Sequence, residues 1–282
     1  MIRLGLIGAG KWGKNYITAA KESGLARVEV QASWEWRIAL GSGLLINGVI
    51  VATPPGPRPD ICRELAKKGY PMMVEKPLCL TMKDVEQLRN DGGALKLVDY
   101  VHLFSPAYER LRKLVCDRPG RLRIYGRSSG PTQRDYSLLW DHACHDLAMC
   151  LGFGVDPAHP ATAHQVNDTT QELDITFSDD VHGHFRVGLR PEKVKQLSVL
   201  CGSWSAVYDG IAGTLDVNGM RVVTDTEYPL TRAVRAFAQA VKDGGTDDWR
   251  FGIDSSVTIT KVLEEAQANM TRPSSPEVSC PK

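Results

Sequence analysis

The chain opens on a short apolar run, Ile2 to Ile7, that stops at Gly8, Gly10 and Gly13 in G-x-G-x-x-G spacing. No other stretch restricts the possible folds so far. A buried strand must turn into a helix there, and the three glycines serve a tight turn, close approach of backbone to a bound pyrophosphate, and close packing of helix on strand. Free N–H groups at the helix start, with the positive end of its dipole, suit phosphate. Glycines after a strand also occur in plain turns, so the surroundings matter. A second strand-like run, Val28 to Ser33, follows, and Glu35 stands 22 residues beyond Gly13. That is where an acid can hold a ribose 2′-hydroxyl. The alternative for Glu35 is a solvated surface charge.

The alternation continues. Lys14 to Glu22 has helical apolar spacing and ends at Ser23-Gly24. The stretch Trp36 to Asn47 is too short for a full helix and a further strand, and Val49 to Ala52 then supplies the next strand, stopped by Thr53-Pro54-Pro55. Asp60 to Lys68 reads as a helix, and Pro71 to Val74 as a buried strand delivering Glu75-Lys76-Pro77 to the same sheet edge. Thr81 and Asp84 form a capping pair for a helix over Met82 to Arg89, and Leu95 to Val98 is a last strand. This pattern is α/β, a doubly wound parallel sheet through Tyr100.

Beyond Tyr100 the texture changes. Pro106 to Cys116 and Leu138 to Leu151 read as helices, Leu122 to Tyr125 as a strand and Phe153 to Gln165 as a loop. Strands then follow at Leu173 to Phe177, Val181 to Leu189, Gln196 to Cys201, Ala206 to Tyr208 and Arg221 to Val223. In Val181 to Leu189, apolar residues alternate with His182, His184 and Arg186, the mark of a sheet with one covered face. Helices return at Leu230 to Val241 and Ser255 to Met270, before a proline-rich tail, Thr271 to Lys282. The expected organisation is a nucleotide-binding domain over 1–100 and an α+β domain over 101–282 with a mostly antiparallel sheet, serving substrate binding and oligomerisation.

Bulk properties narrow the partners. With 282 residues, 43% hydrophobic and 24% charged, the chain has the composition of a globular protein of two domains. A net charge of +1 gives no support to a nucleic acid or an anionic membrane surface as partner. The apolar start is too short for a signal peptide, and no run approaches a membrane span. Seven scattered cysteines without a C-x-x-C pair fit reduced thiols. The expected location is cytoplasmic.

Two places carry chemistry. Lys76, at the sheet edge, can polarise a carbonyl or stabilise an alkoxide. In Trp140-Asp141-His142-Ala143-Cys144-His145-Asp146, Asp141 and His145 stand at i, i+4, and His142 and Asp146 repeat that spacing on an adjacent face. Either pair lets a carboxylate orient an imidazole that exchanges protons near neutral pH, and the spacing alone does not choose between them. A metal reading on His142, Cys144, His145 and Cys150 lacks a recognised ligand spacing, and no metal is expected.

The motifs GAGKWG, VATPP, VEKPL, HLFSPA and WDHACHDL, in this order across most of the chain, resemble the Gfo/Idh/MocA oxidoreductases. The resemblance implies a Rossmann-type first domain and hydride transfer between NAD or NADP and a hydroxyl or ketone carbon of a carbohydrate-like substrate: a sugar, inositol or nucleotide sugar. It makes Lys76, Asp141 and His145 the catalytic residues, with His145 exchanging the proton at the reacting oxygen. Cofactor contacts map to Gly8, Gly10, Lys11, Trp12, Gly13, Glu35, Thr53, Pro54, Pro55, Glu75 and Lys76, and substrate contacts to Lys76, His102, Arg134, Tyr136, Asp141 and His145. Specificity is expected in loops such as Ser128 to Tyr136, with Arg127 a further candidate contact. The resemblance also implies a homodimer or homotetramer, which an exposed apolar sheet face would suit.

Two departures stand out. The interval from Glu35 to Val49 is shorter than is usual in the family, so an edge strand and helix of the first sheet are expected to be missing or remodelled. Arg58 stands where members often have histidine. Glu35 favours NAD, whereas Arg37 can hold a 2′-phosphate; Trp34 or Trp36 can stack on adenine or simply pack. The alternatives from other classes are a dinucleotide-binding regulator without catalysis, and an imine or bilin-type reductase on the same fold.

Overall fold

The first apolar run forms β1 (Ile2–Ile7), and strands pair with it in parallel on both sides: β2 (Ala26–Ala32) and β3 (Gly48–Val51). The computed structural model describes residues 1–32, 35–41, 45–91, 94–118, 120–131, 134–158 and 160–271. Ser33 and Trp34 of the expected nucleotide-binding stretch, and 272–282 of the expected tail, lie outside them. With β4 (Met72–Glu75) and β5 (Lys96–Asp99) the five-stranded parallel sheet runs β2-β1-β3-β4-β5. Every residue of β3 and β4 is buried, because helices cover both faces of such a sheet.

Connecting helices are α1 (Gly13–Ser23), α2 (Trp36–Gly41), α3 (Arg58–Lys67) and α4 (Met82–Asn90). Gly24 closes α1 in the left-handed region at φ 72°, and the Thr81 side chain accepts from the Asp84 N–H to cap α4. After β2 the chain forms only the six-residue α2, and among the described residues no further strand follows before β3. Among the described residues the sheet therefore ends at β2, and the edge strand that the short interval left in question is absent.

The second sheet has eight strands: β6 (Leu122–Gly130), β7 (Thr162–Asn167), β8 (Thr170–Ser178), β9 (Val181–Leu189), β10 (Val194–Cys201), β11 (Trp204–Asp209), β12 (Thr214–Val217) and β13 (Met220–Val222). Their order is β13-β12-β11-β10-β6-β9-β8-β7, antiparallel except where β6 pairs with β9. Two strands differ from expectation: β7 begins inside the expected 153–165 loop, and β12 was not anticipated. Both are weakly patterned; β7 is an edge strand with a single buried residue, Ala163, and β12 buries only Leu215.

In β9, Val181, Gly183, Phe185 and Val187 face the core and His182, His184 and Arg186 face outward. The open side of this sheet is accordingly not the apolar surface expected: Tyr125 and Leu200 are its large exposed hydrophobic residues, set among Arg123, Arg127, His184 and Arg186.

The covered side packs on α5 (Pro106–Cys116) and α6 (Cys144–Gly152). The last helices, α7 (Pro229–Asp243) and α8 (Asp254–Ala268), return to the first sheet's helices, α7 against α1 and α8 against α4. Leu230, Ala233, Val234, Phe237 and Ala238 form the buried stripe of α7, with Phe237 pressed against Gly48 of β3.

Candidate active site

Parallel strands end together, and the loops that follow them leave a crevice at their carboxyl ends. Here the crevice has a volume of ≈ 830 Å³, in the range of small-molecule sites. Its floor comes from Gly10–Gly13 after β1, Ala52–Arg58 after β3, Glu75 of β4 with Lys76 just beyond it, and Asp99 of β5. His102, Arg134, Asp135, Tyr136, Asp141 and His145 close it from the second half of the chain.

The three glycines play the separate parts their spacing suggests. Gly8 sits at φ 96°, and a Cβ there would fall 2.6 Å from the carbonyl carbon of Ala52. A Cβ on Gly13 would lie 2.2 Å from the Gly8 carbonyl oxygen, so that glycine lets α1 close on β1. A Cβ on Gly10 would meet nothing within 4 Å, so the backbone there borders open space at the crevice. No side chain caps α1 and its first turn holds no acid; the Lys14 and Asn15 N–H groups turn back to the Gly10 and Trp12 carbonyls. A pyrophosphate fits this cradle; the residues that would hold it are Gly10, Lys11, Trp12 and Gly13, all at the crevice.

Arg58 stabilises this floor. It is 3% exposed, and its guanidinium donates to the carbonyls of Thr53, Glu75 and Pro77, tying the end of β3 to the end of β4. The departure noted in the sequence is thus a buried clamp beneath both loops. Burial lowers its pKa, partly offset by Glu75.

Lys76 leaves β4 toward the second half of the chain. Its Nζ lies 2.8 Å from Asp141 Oδ1 and 2.5 Å from the Asp141 carbonyl oxygen. Burial works against the ammonium, but Cys144 and Asp141 beside it more than offset that and hold Lys76 above the ordinary lysine value. The Cys144 thiol is itself pushed up to about 11 by burial, so at neutral pH the charged partner is Asp141. Burial likewise opposes the Asp141 carboxylate, and Lys76 outweighs it, keeping Asp141 below the usual carboxylate range. Arg134 Nε and His142 Nε2 both stand 3.8 Å from Asp141 Oδ2.

The expected helix over Leu138 to Leu151 begins instead with a π-helical turn, Leu139–Ala143, that runs into α6. Gln171 of β8 accepts from the Leu139 N–H, and Gln267 of α8 accepts from the Trp140 indole at 2.7 Å, anchoring the turn from two sides. Such wide turns recur at functional sites. Asp141 and His145 both reach the crevice from this segment, whereas Asp146 is wholly buried, with Oδ1 2.6 Å from Lys195 Nζ and Oδ2 near Ser128.

His145 packs edge-on to His102, ring centroids 5.0 Å apart, and to Tyr100 at 6.2 Å. Burial, then the nearby Lys76 and His102, drive its pKa well below the ordinary value, so the imidazole is neutral at pH 7. Its Nδ1 is buried with no hydrogen-bond partner among the described residues. His102 is likewise held neutral by burial, then by Lys195 and Lys76, and its Nδ1 bonds the Tyr208 hydroxyl at 2.9 Å.

Not every expected residue arrives. Glu35 is exposed just past β2, and Arg37 is ion-paired to Glu64 of α3 at 2.6 Å; neither lines the crevice. Trp36 is buried against the sheet rather than offered to a ligand. Arg127 faces outward on β6. The structure adds Asp99 and Tyr16, which no sequence motif singles out. Two general signals do point to them: Asp99 ends a parallel strand as Glu75 does, and Tyr16 lies one helical turn beyond Gly13. Among the described residues no group of three or more His, Cys, Asp or Glu side chains is placed to hold a metal ion.

Residues 27–90 match the sequence profile of a family described as "Oxidoreductase family, NAD-binding Rossmann fold", Gfo/Idh/MocA. The rhizopine catabolism protein MocA of Rhizobium meliloti is 29% identical over 129 residues, 39% of this chain and 41% of that protein, so the match covers less than half of the curated relative. A crystal structure described as an oxidoreductase from Magnetospirillum magnetotacticum superposes with TM-score 0.80 at 26% identity, over 93% of this chain and 98% of that one. Over residues 27–90 the chain is thus similar to the Gfo/Idh/MocA oxidoreductases, and its fold is shared with a solved structure described as an oxidoreductase.

A UDP-N-acetylglucosamine 3-dehydrogenase from Acidithiobacillus ferrooxidans shares the fold, with TM-score 0.79 at 15% identity over 95% of this chain and 97% of that one. The stretch matching the NAD-binding Rossmann profile spans β2 to α4 of the five-stranded sheet, and among the described residues no strand lies beyond β2. No helix among its described residues is long and apolar enough to cross a membrane.

Proposed function

We propose that this chain passes a hydride between NAD and a hydroxyl or ketone carbon of a small carbohydrate-like molecule. The observation that carries the reading is the Lys76–Asp141 pair, 2.8 Å apart, on the same crevice as the Gly10 cradle and the neutral His145. A nicotinamide dinucleotide held there supplies the hydride acceptor or donor. Lys76, kept protonated, stabilises negative charge on the reacting oxygen, and Asp141 fixes the direction of its ammonium. His145, kept as free imidazole, is in the form that takes the proton of a substrate hydroxyl. Tyr136, Arg134 and His102 border the same space and are the proposed specificity contacts. Carbohydrate-like chemistry is supported by the relatives, one named for rhizopine catabolism and one for oxidation of a nucleotide sugar. NAD is favoured over NADP because Arg37, the cation nearest the end of β2, is already held by Glu64. A homodimer or homotetramer is proposed on the family resemblance alone, and light scattering tests it.

Purified protein assayed with NAD and NADP against sugars, inositols and nucleotide sugars is the direct test. Turnover is expected with at least one polyol and is expected to collapse in Lys76→Ala and His145→Ala. Turnover that survives both substitutions removes these residues from the chemistry.

A further inference from the structure

Behind Lys76 lies a second cluster that the reaction as described does not use. The Tyr16 hydroxyl oxygen stands 2.8 Å from Glu75 Oε1 and 2.6 Å from Asp99 Oδ2. Glu75 and Asp99 are register partners at the ends of β4 and β5, and all three side chains are buried, at 0%, 7% and 2% exposure for Tyr16, Glu75 and Asp99. A phenol has one proton and can donate to one oxygen only. The second carboxyl, at hydrogen-bond distance from the same phenol oxygen, must carry a proton of its own and donate it.

The remaining contacts decide which acid holds that proton. Burial raises the pKa of Glu75 as well, but the Arg58 and Lys76 cations oppose that rise and favour its charge, and its Oε2 accepts the Lys76 N–H at 3.1 Å. Asp99 Oδ1 is buried with no partner among the described residues, a costly position for a carboxylate and a tolerable one for a neutral acid. The proton therefore sits on Asp99, which donates to Tyr16, which donates to Glu75. Burial and the Glu75 charge push Asp99 up to about 8, in the same direction.

Both acids line the crevice beside Lys76. We propose that Glu75, Tyr16 and Asp99 form a one-proton acid pair that reads the charge of the ring bound in front of it: the cationic, oxidised nicotinamide expels the Asp99 proton, and the neutral, reduced one restores it. On expulsion the Asp99 O–H bond breaks, its electron pair stays on the carboxylate and the proton passes to solvent; no other bond changes. The charged and titratable groups facing the pair are Tyr16 from α1, Arg58 from α3, Lys76 beyond β4, and His102, Asp141 and His145 across the crevice. The inference rests on the reading of the crevice as a nicotinamide site.

Calorimetric titration of the full-length protein with NAD⁺ and with NADH, at one pH in two buffers of different ionisation enthalpy, counts the protons released. Near pH 7.5 the expectation is a release approaching one proton for NAD⁺ and none for NADH. The NAD⁺ Kd should tighten by up to about tenfold per pH unit below the Asp99 value and level off above it, while the NADH Kd stays flat. Asp99→Asn keeps a donor toward Tyr16 and should abolish both the release and the pH dependence, leaving NADH affinity within about twofold. Equal proton counts for the two forms, or release that persists in Asp99→Asn, overturn the proposal while leaving the crevice reading intact. If neither NAD(H) nor NADP(H) binds, the crevice reading itself falls and the proposal with it.

Discussion

Asp141 and Asp146 are five residues apart, and each holds a lysine, but the two pairs serve different ends. Lys76–Asp141 borders the crevice, with side chains 16% and 9% exposed, and Asp141 is held below the usual carboxylate range because Lys76 outweighs the effect of burial. Lys195–Asp146 is sealed between α6 and the second sheet, at 6% and 0%, and there burial wins: Asp146 is raised despite its lysine and a bond from Ser128. The same two residue types thus make a charged pair bordering the crevice in one place and an internal strut in the other. Access to solvent decides which, since desolvation grows faster than the pair's attraction as water is withdrawn.

The comparison breaks most readily at the sealed pair. Lys195→Met leaves Asp146 buried without its cation and is expected to cost about 3–5 kcal/mol of stability in urea unfolding, most of it recovered in the double variant with Asp146→Leu. Turnover in that double variant should stay within a few-fold of the parent; a collapse equal to that of a crevice variant would erase the distinction. Lys76→Met is expected to lower kcat by about 10²–10³-fold, roughly 2.7–4 kcal/mol of transition-state stabilisation, with a smaller loss of unfolding free energy than Lys195→Met. The reverse ranking in unfolding would make Lys76 the strut.

His142, beside Asp141, sharpens the contrast by pH. Burial lowers its pKa to about 4, with Asp141 opposing the shift. A histidine kept neutral in the folded state takes up its proton only on unfolding, so its cost appears as pH falls below about 6.5 and is complete near 4. Replacing it in His142→Gln should flatten the stability profile across that window by up to about 1.4 kcal/mol per pH unit, with no change above pH 7. A difference that grows above pH 7 instead would contradict the neutral assignment. The smallest effect is expected at Arg134, half exposed and 3.8 Å from Asp141: Arg134→Ala should change stability by less than about 1 kcal/mol and act, if on anything, on KM.

Much of this was readable before any coordinates. The glycine spacing, the continuous apolar strands and the Thr81–Asp84 cap are local signals, and the strands and helices formed where those signals lie, within a few residues. The strands that escaped, β7 and β12, bury almost nothing and so leave no periodic trace. The i, i+4 rule offered two aspartate–histidine pairs and gave no ground to choose between them. The family resemblance named Asp141 and His145, and the structure adds the physical reason: Lys195 approaches on β10 and removes Asp146 from the crevice.

From residue order alone came the parallel sheet, the trimmed edge after β2, the cradle at Gly10 and the presence of Lys76 at a strand end, because each depends on neighbours within a turn or a strand. Tertiary structure alone decided which aspartate meets Lys76, that Arg58 clamps three carbonyls, that Arg37 is held by Glu64, and that one phenol stands between two acids. Those outcomes depend on contacts across 59 to 83 residues for Tyr16 and 65 for Lys76. Charge and proton placement are properties of such meetings, since burial and partners set them together, and a linear pattern records neither.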